Sequence, residues 1–162
     1  MIALDVSVDD DAWTALDVDA LAERCAKTLI ATAPAGLRPG EIAILFTNND
    51  AVRELNATWR GKDRPTNVLS FPAVDELALP PDIPQPLGDV VLAFGVCAAE
   101  AAEKGVSIQD HASHLVIHGF LHLIGYDHQG EDEAEVMEDL ERRLLLDLGI
   151  ADPYTDRDRP SR

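Results

Sequence analysis

The stretch HGFLHLIGYDH, residues 118–128, decides how this chain is read. His118 and His122 are four residues apart, so on a helix they stack on one face with Cβ atoms roughly 5–6 Å apart, a gap that one metal ion can bridge. Gly125 follows the second histidine by three residues and suits the left-handed conformation that stops a helix. The chain beyond it can then double back to deliver His128. Three neutral imidazoles leave a fourth tetrahedral position to water, the arrangement of a catalytic rather than a structural zinc site. A single histidine pair at this spacing is often an ordinary helix feature. Three histidines with a helix stop between them predict one zinc ion per chain, held by His118, His122 and His128. His111 lies nearly two turns before His118 and is expected to be exposed or to back the site. His114, one turn before, is a candidate catalytic residue that orients a ligand, a water or a substrate phosphate, with a packing role as the alternative.

Outward from this helix, predicted to span about 108–124, the pattern alternates between strands and helices. Strands are expected at 2–8 (IALDVSV), 41–47 (EIAILFT), 68–73 (VLSFPA) and 88–94 (GDVVLAF), with Pro72 confining the third to an edge or an end. Helices are expected from Asp17 to about Ala33, within NNDAVRELNATWR after Asn and Asp cap candidates, and at about 95–104 and 131–148. The proline-rich run between Asp75 and Leu87 reads as a surface loop. The fold class is therefore α+β, about four strands in one mixed sheet packed with about five helices. The metal site would sit on a helix and the turn after it.

The 162 residues, 46% of them hydrophobic, suffice for one core. One domain is expected over 1–151, with a frayed tail over 152–162. Cys25 and Cys97 stand among alanines in helix-like segments and read as reduced core residues. No apolar run has spanning length, and the acidic start MIALDVSVDDDAW lacks the basic-then-apolar order of a signal peptide, so no membrane association and a cytoplasmic location are expected.

Thirteen basic against thirty acidic residues give a net charge of −17, which argues against a general nucleic-acid binder. The distribution softens that objection. Seven acids precede residue 24 and eight lie between Glu131 and Asp147, whereas Arg53, Arg60, Lys62 and Arg64 gather within a dozen positions. Arg60, Lys62 and Arg64 are candidate substrate-binding residues; the plain alternative is a solvated loop.

Two segments carry a family resemblance. His118-Gly-Phe-Leu-His122-Leu-Ile-Gly125-Tyr-Asp-His128 matches HGxLHLxGYDH. Asn56, Arg60, Asp63, Pro65, Thr66, Asn67 and Val68 through Pro72 match NxxxRxxDxPTDVLSFP, with Asn67 where that pattern has Asp and where a turn-capping Asn would serve structurally. The chain resembles the YbeY-type rRNA maturation factors over about 41–154, with weaker similarity in 87–93, the acidic helix and the closing LGIADPY. The resemblance implies a zinc-dependent endoribonuclease that cuts single-stranded RNA during small-subunit rRNA maturation, with zinc on the three histidines and Arg60 as a catalytic group beside it. A small-subunit ribosomal protein and a ribosome-assembly GTPase are the implied protein partners. A rigid fork of donors makes Arg60 suited to a phosphate. Trp59 beside it could stack on a base, although the apolar face of a short helix is expected to bury it.

Two other readings compete. H-x-x-x-H-x-x-G-x-x-H is also the metzincin spacing, but zinc peptidases place a general-base Glu directly after the first histidine, where this chain has Gly119, and Met137 lies inside the acidic helix rather than in a Met-turn. The third reading is a ribosome-assembly factor without turnover whose metal serves only to fold it.

Overall fold

Short β-branched and leucine-rich runs build one sheet. The computed structural model describes residues 2–73, 85–127 and 130–153. Strands β1 (Ile2–Val8), β2 (Gly40–Thr47), β3 (Val68–Pro72) and β4 (Pro86–Ala93) lie in the order β1-β2-β4-β3. β1, β2 and β4 are parallel, and β3 runs antiparallel to β4 at the edge, where Pro72 closes it. A parallel neighbour requires a crossover. Helix α1 (Val18–Thr32) makes the first, and α2 (Asn49–Arg60) followed by β3 makes the second. Helices α3 (Phe94–Lys104), α4 (Ile108–Leu123) and α5 (Glu131–Asp147) follow β4. Among the described residues this is the expected α+β architecture of one mixed sheet and five α-helices. A short 3₁₀ turn at Asp11–Ala15 was not foreseen; it buries Trp13, whose indole N–H donates to the Thr47 carbonyl at 2.8 Å.

The strand alternation divides the sheet into two unequal faces. Ile42, Ile44, Phe46, Val90 and Leu92 point into the main core with α1, α4 and α5. Among the described residues, the opposite face carries a smaller cluster, in which Val52 of α2 meets Leu69, Val91 and Ala93. Among the described residues, no helix is long and apolar enough to cross a membrane. Cys25 and Cys97 are buried and unpaired, and burial pushes both thiols up to about 12. Both therefore stay protonated at neutral pH, in keeping with core rather than ligand roles.

The boundaries differ from the sequence reading in one respect. β4 begins at Pro86, and Leu87 is fully buried, so the predicted loop gives way to the sheet earlier than expected; Pro86 pairs beside Glu41. The rest of that loop, 74–84, and the tail from 154 lie outside the described residues. Asp152, expected to be frayed, is paired with Arg142 at 3.1 Å.

Helix α4 is the central support. Ser107 accepts from the Asp110 N–H at its start. Leu115, Val116, Ile117, Phe120, Leu121 and Leu123 are buried, each side chain contributing about 1.5–3 kcal/mol. Gly119 is where the helix presses on the sheet: a Cβ there would stand 2.8 and 3.0 Å from the two γ-methyls of Val90. A glutamate at this position would meet β4 rather than a metal, which removes the structural basis for a peptidase. Gly119→Ala is expected to destabilise the protein in urea unfolding, since overpacking costs about 1–3 kcal/mol against roughly 1 kcal/mol gained in helix propensity. In a Val90→Ala background the same change should become neutral or stabilising. An equal effect in both backgrounds would refute the contact as the cause.

Candidate metal centre

The end of α4 delivers the histidines. Tyr126 N–H donates to Leu121 O at 2.9 Å and Gly125 N–H to His122 O at 3.1 Å, the paired bonds of a Schellman stop, with Gly125 at φ 109°. The sequence reading of Gly125 as the helix stop is what the structure shows. His118 and His122 share one face, their ring centroids 4.6 Å apart, and the two Nε2 atoms stand 3.1 Å from each other. Ligands about 2.0–2.1 Å from a tetrahedral ion are separated by roughly 3.3 Å, so this pair fits two positions of a zinc site. Among the described residues, no group of three His, Cys, Asp or Glu side chains is arranged to hold a metal. His128, the expected third ligand, lies outside the described residues.

Behind the pair stands a residue that the sequence reading missed. Glu141 of α5 is 1% exposed and faces both His118 Nδ1, 2.7 Å from Oε2, and His114 Nε2, 3.0 Å from Oε1. Burial alone would raise this carboxyl, but hydrogen bonds and charge from His114 and His118 outweigh it and bring it down to about 2. The ionised carboxylate only accepts, so His118 carries its proton on Nδ1 and turns the Nε2 lone pair toward His122. One signal in the sequence pointed to Glu141: it interrupts the apolar stripe Met137, Leu144, Leu145 on a helix otherwise acidic on its exposed side.

A second carboxylate, the partly exposed Glu100 of α3, meets α4 nearer its start. His111 is 3% exposed, not solvated, and its Nε2 is 2.8 Å from Glu100 Oε1. Burial foremost, with the charges of Lys104 and His114, lowers its pKa against the pull of Glu100. Asn67 donates its amide to the same Glu100 oxygen at 2.9 Å while its own carbonyl accepts from Val68 N–H. An aspartate here would set two carboxylates against each other, so the amide has a physical role beyond the expected turn cap.

The histidines of α4 and Asn67 wall a cavity of about 670 Å³ between α4, β3 and the turn after Gly125. His114, His118, His122, Tyr126 and Asp127 line one side, and Arg60 and Ser70 face them. Arg60 ends α2, donates from Nη2 to Ser70 O at 2.7 Å, and lies 5.4 Å over the Phe71 ring. A chain segment ten residues away thus holds the arginine at the cavity rim. Lys62 and Arg64 are exposed and do not line the cavity. Trp59 is 69% exposed, contrary to the expectation that it would be buried.

A family model described as Endoribonuclease YbeY matches residues 6–149. The chain belongs to the YbeY endoribonuclease family. Two relatives named Endoribonuclease YbeY illustrate the match: one from Rhodopseudomonas palustris is 46% identical, covering 97% of this chain and 92% of its own length, and one from Paramagnetospirillum magneticum is 49% identical, covering 94% and 96%. The solution structure of a Thermotoga maritima protein shares the fold over the whole of both chains, with a TM-score of 0.58 at 23% identity. Membership of the YbeY family makes the chain a hydrolase that acts on RNA, in agreement with the motifs around Arg60 and His118.

Glu141 provides a test of the centre. Glu141→Gln keeps the shape but loses the charge that orients both imidazoles, and a change of this kind behind a metal ligand weakens metal binding by about 10–100-fold. The expected outcome is weaker zinc binding by calorimetry, with a folded protein by circular dichroism. Unchanged affinity would show that the carboxylate does not orient His118.

Proposed function

We propose that this chain is a zinc-dependent endoribonuclease that cuts single-stranded RNA, with ribosomal RNA of the small subunit as its substrate during maturation. The observation that carries the metal reading is the convergence of the His118 and His122 Nε2 atoms with Glu141 fixed behind them. His118, His122 and His128 would hold the zinc. When bound, zinc lowers the pKa of water toward neutrality and withdraws charge from a phosphoryl oxygen. Arg60 keeps one N–H on Ser70 O and presents the rest of its fork to the cavity, where a phosphate can accept two parallel bonds. Such donors stabilise charge that develops on the transferring phosphoryl group. His114, on the cavity wall and tied to the same carboxylate as His118, orients the substrate. Lys62 and Arg64 contact RNA only outside the cavity.

The acidic body supports a role for protein partners. A net charge of −17 keeps affinity for free RNA low, so a small-subunit ribosomal protein or an assembly GTPase would bring the substrate to the cavity. The zinc-peptidase reading finds no support, because Gly119 packs on Val90 and offers no base.

The test compares wild type, His122→Ala and Arg60→Lys on unstructured RNA and on casein, with zinc content and Tm measured on each protein. Wild type should cut RNA and leave casein intact. His122→Ala should lose zinc and cleavage together. Arg60→Lys should keep zinc and a near-native Tm but lose at least tenfold in rate, since lysine cannot make the bidentate contact. Casein cleavage without RNA cleavage would overturn the proposal, and a folded, zinc-bound wild type with no activity would make the metal structural.

A further inference from the structure

We infer that Trp59 is a stacking platform for the unpaired base next to the phosphate held by Arg60, which adds a nucleobase subsite to the endoribonuclease reading and rests on that reading. Trp59 continues the stripe of Val52 and Leu55 along α2, but whereas Val52 is fully buried, 69% of the tryptophan is exposed. A second groove, about 810 Å³, opens on the sparsely covered face of the sheet, with Trp59, Leu55 and Phe71 among its walls. Arg60 and Ser70 line both this groove and the histidine cavity. The arginine is therefore the ridge between the two, and its immediate chain neighbour is the exposed indole.

The chemistry of the groove selects its occupant. Asp5, Glu41 and Asp89 line its other walls and repel phosphate, so a nucleic-acid backbone is excluded from the groove itself. A base is neutral, presents a π-face to the indole and carries N–H groups that acidic acceptors tolerate. A strand crossing the ridge at Arg60 would leave its phosphate on the cavity side and lay one base against Trp59. Only an unpaired base is free to do this, which ties the subsite to single-stranded substrates.

The two tryptophans make the subsite directly observable. Trp13 is fully buried, so fluorescence changes on adding a polar ligand report on Trp59. Titration of the zinc-loaded protein with short oligoadenylate should quench the emission, whereas an abasic oligomer of equal charge should not. Trp59→Phe should abolish the quench yet keep KM for RNA near wild type. Trp59→Ala should raise KM about tenfold, with a smaller effect on kcat, as expected for loss of one base–aromatic stack. Equal quenching by the abasic oligomer, or an unchanged KM in Trp59→Ala while wild type cuts RNA, would overturn the subsite and leave the nuclease reading intact. Quenching specific to the base-bearing oligomer in a wild type that cuts no RNA would uphold the stacking site and sink the nuclease reading instead. An intact KM together with loss of binding to a protein partner would assign the exposed indole to a protein contact and reject the base subsite.

Discussion

The contact between α4 and β4 sets the geometry on which the site depends. Gly119 lets the helix backbone settle against Val90, and that contact fixes the rotational phase of α4. Phe120, Ile117 and Val116 go into the core, and positions 114, 118 and 122 emerge together at the boundary between the sheet and α5. A helix rotated by one residue would carry the same histidines into the core or out to solvent. The glycine in the HGxLH motif is thus a packing requirement, and it explains in physical terms why a general-base glutamate does not occupy that place.

Once the phase is set, the polar side of α4 needs partners, because buried polar groups without them are costly. Glu141 and Glu100 meet that need separately. Glu141 satisfies His114 and His118, and Glu100 satisfies His111 and Asn67. Hydrogen bonds to a charged group contribute about 1.5–3 kcal/mol each and offset the desolvation of a carboxylate that is 1% exposed. The same bonds decide tautomers, so the interactions that make burial tolerable also aim the Nε2 lone pair of His118. Stability and site chemistry share one set of contacts.

The local parts of this arrangement were legible in the sequence because they depend on spacing alone. The i, i+4 histidines, the stop at Gly125, the edge position of Pro72 and the five helices all follow from periodicity and backbone preference. The apolar stripe of α5 marked Glu141 as buried, but its partners were not legible, since it lies 23 residues from His118 and only the packing of α5 on α4 joins them. His111 was expected to be exposed or to back the site; it is buried where α3 brings Glu100 over it, and it lines the same cavity as His114 and His118. Trp59 was misjudged. Its stripe predicted burial, yet its side chain is 69% exposed at the edge of an open groove. His128 and residues 74–84 of the proline-rich run lie outside the described residues.

The charge of the molecule then acquires a specific meaning. A field of −17 opposes any long contact with a polyanion, but salt screens it beyond about 8–10 Å, so short-range groups can prevail inside the cavity. Arg60 supplies a charged donor at the ridge, and the Ser70 carbonyl and the Phe71 ring hold it there. On the proposed reading, affinity cannot come from a run of phosphate contacts and must come from a few placed groups plus interactions that carry no charge. Stacking on an aromatic ring is such an interaction, and it is available only where bases are unpaired. Selectivity for single strands would then arise from the acidic body itself, because a duplex offers this surface mainly the phosphates that it repels.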